Sequence, residues 1–107
     1  MSKLVRDKIV SIIAKNTGET PAYHVEKNYE NQLHLLYDKL KEEAQEVSEC
    51  DKDDLALIYE LADVYEVILS ILNHKGYELR DLVEASDVKR SVRGSFTQFH
   101  VLDDIKK

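Results

Sequence analysis

The chain has 107 residues, with 43% hydrophobic and 34% charged side chains and a net charge of −6. This length suits a single domain near the lower limit for a self-sufficient core, and no apolar run approaches the roughly 20 residues that span a bilayer. An acidic chain is a poor match for the phosphate backbone of a nucleic-acid polymer, and three Gly and one Pro leave few turns for a sandwich or barrel, so helices are favoured.

The first predicted helix runs from Ser2, a potential N-cap, to Lys15. Val5, Ile9, Ile12 and Ile13 recur at helical spacing, and Asn16-Thr17-Gly18 ends it. The charges in Met1-Ser2-Lys3-Leu4-Val5-Arg6 interrupt any signal-peptide core, which argues against export. Thr20-Pro21 marks a loop, and Ala22 to Val25 reads as a short extended piece. A second helix is expected from about Lys27 to Ser48, with Leu33, Leu36, Leu40, Ala44 and Val47 as its apolar stripe. Asp51-Lys52-Asp53-Asp54 breaks that pattern and supplies N-caps for a third helix reaching Lys75, where Gly76 is placed to terminate it. A fourth helix, Glu78 to Val92, would turn Leu79, Leu82, Val83 and Val88 inward before Gly94. The tail from Phe96 to Leu102 is aromatic and β-branched and reads as extended across the bundle. Cys50 is the only cysteine, which fits a reducing cytoplasm. The expected fold is therefore an all-α antiparallel bundle of about four helices in one domain, 1–107, with a short extended tail.

The third helix is apolar on two sides. Ile58, Leu61, Ala62, Tyr65, Leu69 and Leu72 cover one, while Leu57, Val64, Val67 and Ile71 lie on the other, among Glu60 and Asp63. Both sides need cover, which in so short a chain points to a second subunit and predicts a homo-oligomer with Ile58, Tyr65 and Leu69 near the contact.

The acids form a pattern of their own. Glu43 and Glu46 lie one helical turn apart at the edge of the second helix's stripe, and Glu60 and Asp63 repeat the spacing on the third. Antiparallel packing would bring the two pairs face to face. Four carboxylates near an apolar seam repel one another unless protonated or bound to a cation. Oxygen ligands without a Cys/His cluster suit Mg²⁺ or Mn²⁺. A single such pair is usually a solvated face; two pairs on adjacent helices favour metal. Glu42 and Glu49 point away, and Glu66 reads as a solvated edge that could add a ligand. His24, His34, His74 and His100 form no triad.

This arrangement, E-E-x-x-E followed after a spacer by E-x-x-D, resembles the signature of MazG-like all-α nucleoside triphosphate pyrophosphohydrolases. Lys3-Leu4-Val5-Arg6-Asp7-Lys8-Ile9 and Arg93-Gly94-Ser95-Phe96 resemble the ends of the branch labelled phosphoribosyl-ATP pyrophosphohydrolase-like, which commonly has Pro at the place of Val10 and a second Gly at that of Ser95. The resemblance implies Glu43, Glu46, Glu60 and Asp63 as metal ligands, with Glu42 as an outer group or base. It implies cleavage between the α and β phosphates of a nucleotide, in a homodimer or homotetramer. Lys89 and Arg93, four apart on the fourth helix, would hold phosphate, with Lys39 a weaker candidate and Arg6 and Lys8 weaker still or paired with the acidic second helix. Tyr23 and Phe96 read as packing residues before base-stacking ones. The alternatives are a phosphoribosyl-ATP pyrophosphatase of histidine biosynthesis and a non-catalytic helical dimerisation module.

Overall fold

The computed structural model describes residues 2–50 and 54–103. Residues 1–76 and 77–107 form two compact units. The first unit holds α1 (Ile9–Thr17), α2 (Tyr29–Glu49) and α3 (Asp54–Lys75), and the second holds α4 (Leu79–Arg93). No strand occurs among the described residues, so the chain is all-α. Within them, no helix is long and apolar enough to cross a membrane.

The N-terminus departs from expectation. The helix expected from Ser2 starts only at Ile9, and residues 2–6 have no regular structure. Helix propensity is a weak prior that tertiary contacts override. Here Arg6 reaches Asp63 on α3 and Lys3 approaches Glu42 on α2, which an early helical turn would not secure. At the other end of α1, Gly18 takes a left-handed φ of 80° and donates its N–H to the Ala14 carbonyl. Ala22 to Val25 joins no strand.

Asn28 caps α2, its side chain accepting the Asn31 N–H at 2.9 Å. Asp51, Lys52 and Asp53, named above as the break and as caps for α3, lie outside the described residues. At its far end α3 stops at Lys75, where Gly76 has a φ of 82° and donates to the Asn73 carbonyl.

α2 and α3 pack against each other antiparallel. The first residue of α2 meets the last turn of α3: Tyr29 stacks on His74 with ring centroids 4.1 Å apart. The Tyr29 hydroxyl donates to the His74 carbonyl at 3.2 Å, and His74 Nε2 donates to the Tyr29 carbonyl at 3.0 Å. The seam buries Leu33 of α2 and Val67 of α3, with Leu36, Leu40, Val47, Leu57, Val64 and Ile71 half-buried. On the opposite side of α3, Ile58, Leu61, Ala62 and Tyr65 are exposed, Ile58 to 61%, whereas Leu69 and Leu72, expected on the same side, are half-buried.

In the second unit, Glu78 caps α4 through a reciprocal pair with Asp81. The expectation that Leu79, Leu82, Val83 and Val88 face inward does not hold, since all four are exposed. Among its described residues this unit has one helix and an irregular tail, which offer no second apolar layer. The tail is not a straight extended segment: it bends at residues 96–98, and Phe99 adopts a φ of 53°.

Candidate metal centre

The acids meet where α2 and α3 face each other. Leu33, Leu36, Leu40, Glu43 and Val47 follow a three-four spacing along the covered side of α2, so Glu43 occupies a place that an apolar side chain would ordinarily take. The expected stripe put Ala44 there instead; Ala44 is exposed, and Glu43 is only 7% exposed. Glu60 and Asp63 come from the facing side of α3, both half-buried. One carboxylate oxygen from each of Glu43, Glu60 and Asp63 lies within 4.8 Å of the other two.

Glu46 belongs to the edge of this group. It is exposed, and its carboxyl is raised above the ordinary value by a hydrogen bond with Glu43, then by burial and by the charges of Glu43, Glu60 and Glu42. Glu42 is half-buried and held by lysines, at 3.0 Å from Lys39 and 3.8 Å from Lys3. Lys39 also reaches Glu43 Oε1 at 3.3 Å. Burial opposes the charge on Lys39, but its hydrogen bonds to Glu42 and Glu43 and their charges prevail and raise its pKa above the usual lysine value.

Two atoms of the cluster remain unsatisfied. Glu43 Oε2 and Glu60 Oε2 are buried side-chain oxygens with no hydrogen-bond partner. Buried oxygens are normally paired, and an uncompensated buried charge is costly. Hard carboxylate donors from three side chains converging on one point, two of them with a free oxygen, fit Mg²⁺ or Mn²⁺.

The other expected site residues are placed as follows. Arg6 pairs with Asp63 of α3 at 2.6 Å rather than with the acidic second helix. Beside this pair lies a cavity of about 630 Å³, lined by Leu4, Val5, Lys8, Ile9, Glu43 and Asp63 among others. Glu66 is exposed at the cavity's rim. Lys89 and Arg93 are exposed on α4, outside the helical pair that carries the acids. Tyr23 and Phe96 are not packing residues in this chain: they are 62% and 92% exposed, one in an irregular loop and the other at the bend of the tail. The Arg6–Asp63 contact had no signal in local spacing, because its partners are far apart in sequence. The Lys39–Glu43 pair did have one, since residues four apart on a helix are neighbours.

A family model described as phosphoribosyl-ATP pyrophosphohydrolase matches residues 7–90. The chain belongs to that family. Phosphoribosyl-ATP pyrophosphohydrolase relatives form a MazG-like all-α group, and the match takes in α1, α2, α3 and most of α4. All four acids and Lys89 lie within the matched span, whereas Arg6 and Arg93 lie outside it. Membership supports hydrolysis of a nucleotide pyrophosphate bond as the general activity. No solved structure gives a significant match.

Proposed function

We propose that the protein is a Mg²⁺-dependent nucleotide pyrophosphohydrolase that cleaves between the α and β phosphates of a nucleoside triphosphate. The observation that carries this reading is the pair of unpartnered buried oxygens on Glu43 and Glu60 beside Asp63. Glu43, Glu60 and Asp63 would hold the cation, with Glu46 completing the set from the edge; Mn²⁺ meets the same donors. The bound ion would neutralise charge on the phosphates and make water a better nucleophile.

The chain's own groups do the remaining work. Glu42, paired with Lys3 and Lys39, would take the proton of the attacking water. The water oxygen joins the α phosphorus as its bond to the bridging oxygen breaks, and the β and γ phosphates leave together. Lys39 spends donors on Glu42 and Glu43 but, with three N–H groups, can still meet a phosphate oxygen. Incubation with Mg²⁺ and a panel of triphosphates, followed by phosphorus NMR, should give monophosphate and pyrophosphate in equal amounts. Diphosphate with orthophosphate would mean that another bond is cut.

A second reading is favoured by the description of the matching family model: the substrate is phosphoribosyl-ATP, cut at the corresponding bond. Fold leaves the choice open, because substrate identity lies in the pocket. Including phosphoribosyl-ATP in the same panel decides it by relative kcat/KM. Inactivity on every substrate, with metal bound, would favour a non-catalytic dimerisation module.

The assembly we propose is a homodimer or homotetramer in which a second copy covers the Ile58, Leu61 and Tyr65 side of α3. Support comes from the exposure of this apolar side while the acidic side is packed.

A further inference from the structure

We infer that Arg6 is a substrate-binding residue that exchanges partners: it holds Asp63 in the metal-free chain and a phosphate oxygen of the substrate's pyrophosphate group once the cation is in place. This rests on the cation site proposed above. The starting point is the 2.6 Å contact between Arg6 Nη2 and Asp63 Oδ1. Asp63 supplies one of the three converging oxygens, so this guanidinium sits on a carboxylate that the cation would need. A divalent ion and a guanidinium a few ångströms apart repel each other, and they compete for the same carboxylate.

Lys39, another cation at the cluster, cannot yield in the same way. Its side chain is only 16% exposed, it projects from α2, and it is divided between Glu42 and Glu43. Arg6 has a side chain 55% exposed and stands before α1 in a segment without regular structure, so turning away costs no helical hydrogen bond. Its neighbours Leu4, Val5, Asp7 and Lys8 line the cavity that also borders Glu43 and Asp63. A guanidinium released there would face a cavity that borders the proposed cation site, and its planar fork matches phosphate oxygens. The bland alternative is a tie that merely fastens the N-terminal segment to α3.

The test compares the full-length chain with Arg6→Ala and Arg6→Gln, using Mn²⁺ alone and then pyrophosphate at saturating Mg²⁺ as probes. Pyrophosphate is released under either substrate reading, so the outcome does not depend on choosing between them. Both variants should bind Mn²⁺ tighter, by about threefold or more, because a competing charge is gone. Both should bind pyrophosphate about tenfold or more weakly, as expected for loss of a hydrogen bond between charged groups. Arg6→Gln keeps a donor for Asp63, so a tie that is only structural would be rescued in it, and that rescue would overturn the exchange. Unchanged Mn²⁺ affinity in both variants, with the unsubstituted chain binding Mn²⁺ normally, would also overturn it and leave the cation site standing. Failure of the unsubstituted chain to bind Mn²⁺ would remove the site and the exchange together. Thermal unfolding followed by circular dichroism establishes that each variant is folded.

Discussion

The two sides of α3 reverse the usual arrangement. The side packed against α2 carries Glu60 and Asp63 beside Val64 and Val67, while the exposed side carries Ile58, Leu61, Ala62 and Tyr65. A surface helix ordinarily buries its apolar stripe and shows its charges to water. Because α3 is apolar on both sides, its own pattern does not say which one packs inward. The facing helix decides: α2 brings Glu43 to a buried position opposite the acids of α3. The packed side thus carries a cluster of acids at some cost in stability, and these apolar residues stay exposed.

The strongest way to break this contrast is to disable the packed side alone. Glu43→Gln and Asp63→Asn should each lower turnover by about two to three orders of magnitude or more, read by phosphorus NMR, if these carboxylates act on the transition state. Retained activity in either would move the site elsewhere. The next effect concerns packing. Leu33→Ala opens a cavity at the seam and should cost about 2–5 kcal/mol in denaturant unfolding. Leu61→Ala, on the exposed side, should cost far less at protein concentrations low enough for single chains. An equal cost would mean that this side is covered within one chain. Charging the same side with Ile58→Glu should reduce the sedimenting species to one chain, and a sedimenting mass that starts as one chain would sink the proposed assembly.

A smaller effect tests the repulsion among the acids. Mg²⁺ at about a hundred times its Kd should stabilise the native chain by about 2.7 kcal/mol. Glu60→Gln should abolish that response and raise the melting temperature of the metal-free protein, because one charge of an unsatisfied cluster is gone. A preserved Mg²⁺ response in the folded variant would exclude Glu60 as a ligand. Smallest is Asn28→Ala, which removes the cap of α2 and should cost about 1 kcal/mol without changing the Mg²⁺ response.

Elements with local punctuation were legible in the sequence. The glycines that end α1, α3 and α4 all adopt positive φ, and the short connection between α2 and α3 favoured antiparallel packing, which would oppose the acids. The E-x-x-E and E-x-x-D spacings pointed to the residues that converge, although Glu46 lies at the edge rather than in the triple. Legibility failed where a distant partner decides. Residues 2–8 have helical periodicity, yet Arg6 engages Asp63 and the helix begins later. Ala44 and Glu43 differ by one step around α2, and hydrophobicity favoured Ala44 for the covered place. Only the acids across the seam give a reason for Glu43 to occupy it. The apolar residues of α4 carried a pattern for burial, but a pattern does not name the surface that provides it.

The Tyr29–His74 contact has a consequence for distances at the other end of the helical pair. As many residues separate Tyr29 from Glu43 as separate Glu60 from His74, so the stacked rings and the paired carbonyls act as an end-stop for sliding of one helix along the other. Slippage by one residue would displace Glu43 from Glu60 by about 1.5 Å. That is a large fraction of the 2.0–2.1 Å at which Mg²⁺ accepts oxygen. An aromatic clasp remote from the carboxylates therefore works as a length standard, setting how wide a gap they leave and which ions the proposed site would admit.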